Sequence, residues 1–472
     1  VENGRDIVSS LSLRALTGLP ASVARPTYDV ANTKIDVVHF GPGAFHRAHQ
    51  ADYFDKLGWG ICGVSLKSAG VRDALTPQDG LYTLVEKGPE TRYRIIGALR
   101  EVLVGPEQRD AVVARLISPQ LKLITITVTE KGYCLDQNGV LDFTHPDILH
   151  DLAHPQAPLS LVGWIVHALR ARQRVGPVPV ISCDNLADNG VRLKQAVLAL
   201  ARRVAPDVVP WIAEHVPFPR TMVDSITPAT DDALRAEVSS ILTVADAWPI
   251  QREPFSQFVV EDIVGALAPR LRDVDITVTN DVRGYEQAKL RLLNGPHSTL
   301  AYMGALKNHE TVADAMADIQ LARHITALMD EDIMPTVKAP HGFDVSKYTV
   351  DLRARFRNPA IRHKLLQIAW DGSQKLPVRI VPTLMDALKA GQPIDRLAIS
   401  LAAWMQFVKR QAHANVAIVD PLADQLAMIG KACHGDGQLD VPRFFVLEGV
   451  FPPQLVSHPK FRSALMAAYD SF

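Results

Sequence analysis

The stretch Tyr285-Glu286-Gln287-Ala288-Lys289, followed by Asn294-Gly295-Pro296-His297, brings a carboxylate, an amine, an amide and an imidazole into a few helical turns. Wound as an α-helix at roughly 100° per residue, Lys289 and His297 stand about 80° apart around the axis, with Asn294 about 140° from the lysine. Glu286, one turn earlier, falls between them. Leu290, Leu292 and Leu293 flank this side, so the amine loses part of its hydration. Desolvation lowers a lysine pKa toward the range where it acts as a base at neutral pH. Pro296 removes a backbone donor and is expected to kink or open the helix just after Asn294, presenting Asn294 and His297 to a ligand. A surface Lys/Glu pair on an amphipathic helix is the competing reading of the same residues.

The elements that must hold such a site belong to a chain of 472 residues, long enough for two domains. Its 50 Lys+Arg against 51 Asp+Glu leave a net charge of −1, which argues against a nucleic-acid or anionic-membrane surface. No apolar run approaches the roughly 20 residues of a membrane span, and no apolar signal core stands at the N-terminus. The expectation is a cytoplasmic protein. Cys62, Cys134, Cys183 and Cys433 are widely separated, so neither a disulfide framework nor a structural zinc site follows from them.

After an irregular entry over 1–30, residues 35–40 (IDVVHF) read as a buried strand running into Gly41-Pro42-Gly43-Ala44-Phe45-His46, then a helix through Leu57. Strand, glycine turn and helix make the first unit of a dinucleotide-binding fold. Gly41 and Gly43 let the backbone approach a pyrophosphate, and the N–H groups from Ala44 and Phe45 onward face it. His46 stands where the third glycine of the fingerprint belongs. His46 and His49 have a spacing that permits a metal, but the motif supplies no partner ligand, so packing or cofactor contact is preferred. The second strand ends at Ser65 with Lys67, Ser68 and Arg72 beyond it and no acid for the ribose hydroxyls, which leaves both NAD and NADP open. The β-branched run 121–129 (LKLITITVT) reads as the central parallel strand. Thr129 and Glu130 cap its carboxyl end, and Asp184-Asn185 follow a strand over 178–182. Asp184-Asn185 read equally as a helix N-cap pair or as functional residues.

From about 281 helical patterns take over, at 285–306, 310–330, 346–357, 359–370, 378–390, 394–413 and 420–432. Between two of them, Asp371 to Pro377 reads as a break that exposes Lys375. The expected class is α/β. A Rossmann-like, doubly wound parallel sheet occupies 1–280, and a mostly α-helical substrate and catalytic domain occupies 281–472.

Six motifs occur in order: Gly41-x-Gly43-x-Phe45-His46-Arg47-Ala48-His49-Gln50, Thr129-Glu130-Lys131-Gly132-Tyr133, Ser182-Cys183-Asp184-Asn185, Met222-Val223-Asp224, Lys289-x4-Asn294-x2-His297 and Asp371-Gly372-Ser373-x-Lys375. In this combination the chain resembles the mannitol dehydrogenase family of metal-independent, long-chain polyol dehydrogenases, from about residue 35 to 470. The resemblance implies an NAD-dependent secondary-alcohol dehydrogenase without a metal. It implies Lys289 as general base, Asn185 and Asn294 as donors to the developing alkoxide, His297 on the neighbouring hydroxyl or carbonyl, and Glu286 in a proton path. Asp224 and Lys375 would contact more distant substrate hydroxyls. It further implies a small-molecule substrate and a monomer. Ser225 stands where many relatives carry arginine, and Gln367 where mannitol-oxidising members tend to carry one. The stretch from Arg362-His363 to Lys375 and Arg379 looks more like the mannonate oxidoreductase (fructuronate reductase) branch. A sugar acid wants cations at its far end, which Arg362, His363, Lys375 and Arg379 offer, though the same residues read equally as helix-end charges on a solvated face. D-mannonate/D-fructuronate is the leading expectation, with mannitol, arabinitol or sorbitol as the alternative.

Overall fold

The structure, a computed structural model, describes residues 9–472. The chain divides into two compact units, one ending at Val282 and the other spanning Arg283–Phe472. Of the entry segment, residues 1–8 lie outside the described residues, while Val23–Ala24 forms a short strand parallel to the strand Thr91–Ile96.

The first unit is built on a five-stranded sheet of β1 (Ile35–Phe40), β2 (Gly60–Ser65), β3 (Leu99–Val104), β4 (Leu123–Ile126) and β5 (Val180–Ser182). The order is β3-β2-β1-β4-β5 and every pairing is parallel. Parallel strands are covered on both faces, which is why β2, β4 and β5 are buried at every position. Successive strands step outward from β1 on one side and resume with β4 on the other. The crossing point between β1 and β4 is where such sheets place ligands, at the carboxyl ends of the strands.

The run 121–129 therefore does not form the long central strand expected of it. Its strand is Leu123–Ile126, and the middle of the sheet is β1. The run leaves the sheet because the N–H groups of Val128 and Thr129 turn to the Asp184 carboxylate (3.0 and 2.9 Å) instead of a neighbouring strand. The first helix is likewise split into α1 (Ala44–Ala48) and α2 (Gln50–Lys56), with His49 non-helical at φ −120° and ψ −86° between them. Helices α3 (Leu161–Arg172), capped by the Ser160 hydroxyl, and α4 (Asn189–Val204) complete the covering of the sheet. A three-stranded sheet of Thr221–Asp224, Gln257–Glu261 and Thr277–Thr279 belongs to the same unit.

The second unit is helical throughout its described elements. The boundary falls after the first residue of α5 (Val282–Ala288), which continues without a break into a π-helical turn at Lys289–Asn294 and proceeds as α6 (Gly295–Leu306). Further on are α7 (Val345–Phe356), α8 (Gly372–Arg379), α9 (Asp395–His413) and α10 (Pro459–Asp470). The apolar stripe of α9, from Leu397 to Val408 and including Trp404, packs against α6 and α10 and forms the core.

Two expectations for this unit are corrected. Of the helix read over 359–370 only Leu365–Ile368 is α-helical, because the preceding residues pair across to Thr311 and Val312. The expected break at Asp371–Pro377 is the body of α8, so Lys375 sits within a helix. Asp371 (φ +55°) starts it abruptly, and Gly372 lies so close to Trp404 that an added Cβ would come within 2.4 Å of the indole nitrogen.

Candidate active site

On the first unit the sequence-predicted cofactor residues gather at the carboxyl edge of the sheet. Phe40 pairs with both Val64 and Ile126, so Gly41, Ser65 and the Thr127–Thr129 segment emerge side by side. Gly41 has φ +86°, and a Cβ there would sit 2.0 Å from the Thr127 carbonyl oxygen. Its N–H reaches Val64 O and its carbonyl accepts from the Thr127 hydroxyl at 2.8 Å. The first helical bond of α1 runs from the Arg47 N–H to Gly43 O, so the N–H groups of Ala44 and Phe45 precede it and point out of the helix start. This cradle fits a pyrophosphate: a backbone that only glycine can bring close, with donors behind it.

His46 and His49 do not gather ligands for a metal. The His46 ring stacks on His39 (centroids 3.3 Å apart), and His49 stacks on Phe45 and donates from Nε2 to Gln257 O (2.9 Å). Burial drives the pKa of all three far down, to about 3 for His39 and His49, so they are neutral packing groups. Among the described residues one other set brings ligating atoms within 4.8 Å of one another, Cys134, His145 and Asp147. There the His145 Nδ1 accepts the Asp147 N–H and Asp147 faces Lys67, so the group serves as the cap of the helix Pro146–Ala153.

Beyond β5, Asp184 is not a helix cap. The cap position of α4 is Asp188, and Asp184 instead binds the loop after β4 through Val128 N–H, Thr129 N–H and the Tyr133 hydroxyl (2.8 Å). Asn185 follows it in an exposed bend, and Glu130 lies exposed at the start of the turn Glu130–Tyr133. Asp224 is buried at the end of its strand, close enough to His49 to act on that ring's charge.

On the second unit the π-helical turn changes the geometry expected of Lys289, Asn294 and His297. The widened turn ends at Asn294 instead of following it, and Pro296 is the second residue of α6 in a helix that runs on from the turn. An α-helical path would drive the Pro296 ring against the carbonyl four residues back; the i→i+5 winding, seen in the Gly295 N–H to Leu290 O bond, avoids that clash. Positions five apart in such a turn come to within roughly 50° of one another, instead of the 140° of an α-helix. Lys289 and Asn294 therefore face one side, and His297, three residues on, returns to it. Lys289 is only 8% exposed, and Arg291 anchors the turn by pairing with Asp386 and donating to Thr336 O at 2.9 Å. Glu286 is half-buried one turn earlier on α5.

His297 is a buried ring with the half-buried Arg355, Lys375 and Arg379 around it. Its ring stacks on Phe356 of α7 (5.2 Å) and meets His363 edge-on (4.9 Å). Burial, then His363, Arg379, Arg355 and Lys375 in turn, hold its pKa well below the usual histidine value. Burial and Lys375 bring His363 down to about 4. The Nε2 of His297 and the Nδ1 of His363 are both buried without a hydrogen-bond partner. Arg379 donates to the Ser298 hydroxyl (3.1 Å) and Lys375 to Ile368 O (3.2 Å). Arg362 does not join them. It lies at the surface, 71% exposed, paired with Glu310 at 3.2 Å. Arg355 was not singled out from sequence, because among Lys347, Arg353 and Arg357 it looks like one more charge on a solvated helix face.

Residues 35–272 match the mannitol dehydrogenase Rossmann domain and residues 281–472 the mannitol dehydrogenase C-terminal domain. The chain belongs to the mannitol dehydrogenase family and is an oxidoreductase of that family. It is 40% identical to D-mannonate oxidoreductase of Escherichia coli (strain K12), over 95% of this chain and 95% of that protein. It is 37% identical to mannitol 2-dehydrogenase of Phaeosphaeria nodorum, over 90% of this chain and 79% of that protein. Among solved structures, the Pseudomonas fluorescens mannitol 2-dehydrogenase ternary complex with NAD and D-mannitol superposes with a TM-score of 0.85 at 37% identity, covering 98% of this chain and 96% of the other. Among the described residues no helix is long and apolar enough to cross a membrane.

Proposed function

We propose that the protein is an NAD-dependent, metal-independent dehydrogenase that interconverts a secondary alcohol and a ketone on a linear sugar acid, D-mannonate and D-fructuronate. NAD bound along Gly41, Gly43 and the start of α1 supplies the hydride acceptor. Hydride leaves a carbinol carbon readily only as its oxygen becomes an alkoxide, which requires a base and preorganised donors. Lys289, stripped of most of its water, takes the hydroxyl proton. Asn294 and Asn185 donate to the oxygen as its charge grows, and Glu286 passes the proton on toward solvent. His297, kept neutral by its surroundings, uses its unpartnered Nε2 on the adjacent oxygen. Asp224 and Lys375 hold further hydroxyls.

The observation that carries the choice of substrate is the cationic group of Arg379, Arg355 and Lys375 around His297 and His363. Cations gathered beside a buried, neutral imidazole favour an anionic group on the substrate, and a hexuronate carboxylate supplies one. Each charge-assisted hydrogen bond to that carboxylate contributes about 1.5–3 kcal/mol. A neutral ketose makes hydrogen bonds of about 0.5–1.5 kcal/mol there, so two such bonds favour the acid by about 2–3 kcal/mol, roughly 30- to 150-fold. Steady-state NADH consumption with fructuronate and with fructose tests this directly. A kcat/KM for fructose equal to or above that for fructuronate would return the assignment to the polyol branch, the reading favoured by the likeness to the mannitol complex.

A further inference from the structure

The turns that follow β4 and β5 are joined through one carboxylate. Asp184 accepts the N–H groups of Val128 and Thr129 at 3.0 and 2.9 Å and the Tyr133 hydroxyl at 2.8 Å. The Tyr133 hydroxyl also meets the Ser182 hydroxyl. From the other side, the Asn189 amide of α4 donates to the Asp184 carbonyl (3.2 Å) and to Ser182 O (3.3 Å). Thr129 meanwhile holds φ +66° and ψ +164°. For a β-branched residue this is an outlier that costs on the order of 1–3 kcal/mol, and it persists only where its surroundings impose it. What imposes it here is the bond from its own N–H to Asp184.

We propose that Asp184 is a positioning residue: it locks the strained Thr129 turn and the turn bearing Asn185 into one rigid edge beside the Gly41 cradle. Ionised, the carboxylate offers enough lone pairs for both N–H groups and the tyrosine hydroxyl; protonated, it loses acceptor capacity and the edge loosens. The titratable groups that face it are Glu130 and the neutral Tyr133 from the turn after β4 and the neutral Cys183 from its own strand end. Desolvation raises its pKa to about 6, while the Tyr133 hydroxyl and the two N–H groups pull it down. The carboxylate is thus held charged at neutral pH at some cost to the fold, which suits a role in function rather than in stability.

The proposal rests on the dehydrogenase reading for its kinetic arm but not for its binding arm. Three enzymes are compared, wild type, Asp184→Asn and Tyr133→Phe, in the ketone-reducing direction, where a protonated lysine leaves the acid side of the profile clear. The wild-type kcat falls on an acid limb near pH 6, after subtraction of non-enzymatic NADH loss. Asp184→Asn lowers kcat roughly tenfold to a hundredfold, as misplacement by about 1 Å does, and abolishes the limb. Tyr133→Phe keeps most of the rate and moves the limb to higher pH. NADH affinity, read by fluorescence titration without any substrate, weakens in Asp184→Asn, and its melting temperature does not fall. An Asp184→Asn enzyme within twofold of wild type with the limb intact overturns the proposal. So does an unmoved limb in Tyr133→Phe, or a loss of rate that only tracks a lower melting temperature. If no ketone is turned over yet NADH binding weakens in Asp184→Asn alone, the dehydrogenase reading fails and the positioning role stands.

Discussion

Replacing Arg379 by methionine removes one charge from the group around His297 while keeping an unbranched side chain of similar length. In the structure the guanidinium donates to the Ser298 hydroxyl at 3.1 Å and acts on the His297 ring. If it also binds the substrate carboxylate, its loss removes a charge-assisted bond of about 1.5–3 kcal/mol, or roughly 10- to 150-fold in kcat/KM for fructuronate. A neutral ketose offers only a hydroxyl at that place, worth about 0.5–1.5 kcal/mol, or roughly two- to tenfold. The variant should therefore lose more with the acid than with fructose. The loss should fall mostly in KM, because the contact is made in both ground and transition states. Steady-state NADH consumption with both substrates reads the two ratios side by side. Equal losses on the two substrates, or a larger one on fructose, would refute the carboxylate assignment and leave Arg379 as a structural partner of Ser298.

Lys289→Ala should lower kcat by about a thousandfold or more at every pH, with the fold retained; near wild-type turnover would remove the lysine from the base role. Gly41→Ala forces a Cβ to 2.0 Å from Thr127 O at a φ of +86°, so NADH affinity by fluorescence titration and melting temperature should both drop. Pro296→Ala restores a donor and lets the π-helical turn relax toward an α-helix, and kcat should fall roughly tenfold without a lower melting temperature. His39, His49, His297 and His363 all have folded pKa values depressed below the unfolded value of about 6.5. Their contribution to stability is therefore complete above that value and is lost as pH falls toward about 4 and below, which melting curves between pH 7 and 4 should show. Prolonged treatment with a chelator should leave turnover unchanged, since the proposed chemistry uses Lys289 in place of a metal.

Much of the frame could be read locally. The strand–glycine–helix unit at Ile35–Lys56 declares itself because a turn at φ +86° favours glycine and follows directly on a short, mostly apolar strand. The families of helices after residue 281 follow from period and from the absence of β-branched runs. Element ends were less legible. The strand at Leu123–Ile126 stops early because the Asp184 carboxylate, far along the chain, claims the N–H groups of Val128 and Thr129, an event no window around residue 126 contains.

The sequence by itself determined which chemical groups are present and in what order: a glycine turn suited to a dinucleotide, then Asn185, and further on Lys289, Asn294 and His297. Tertiary structure decided how they are presented. Pro296 could be read as a disturbance, but its consequence depends on how the chain accommodates a ring that cannot fit an α-helical path. The answer is a π-helical turn that moves Asn294 round to Lys289. Likewise Arg362 and Arg355 are equivalent as letters. Packing sends the first to the surface against Glu310 and brings the second near His297, because charge is placed by the folds on either side of it and not by its neighbours in sequence.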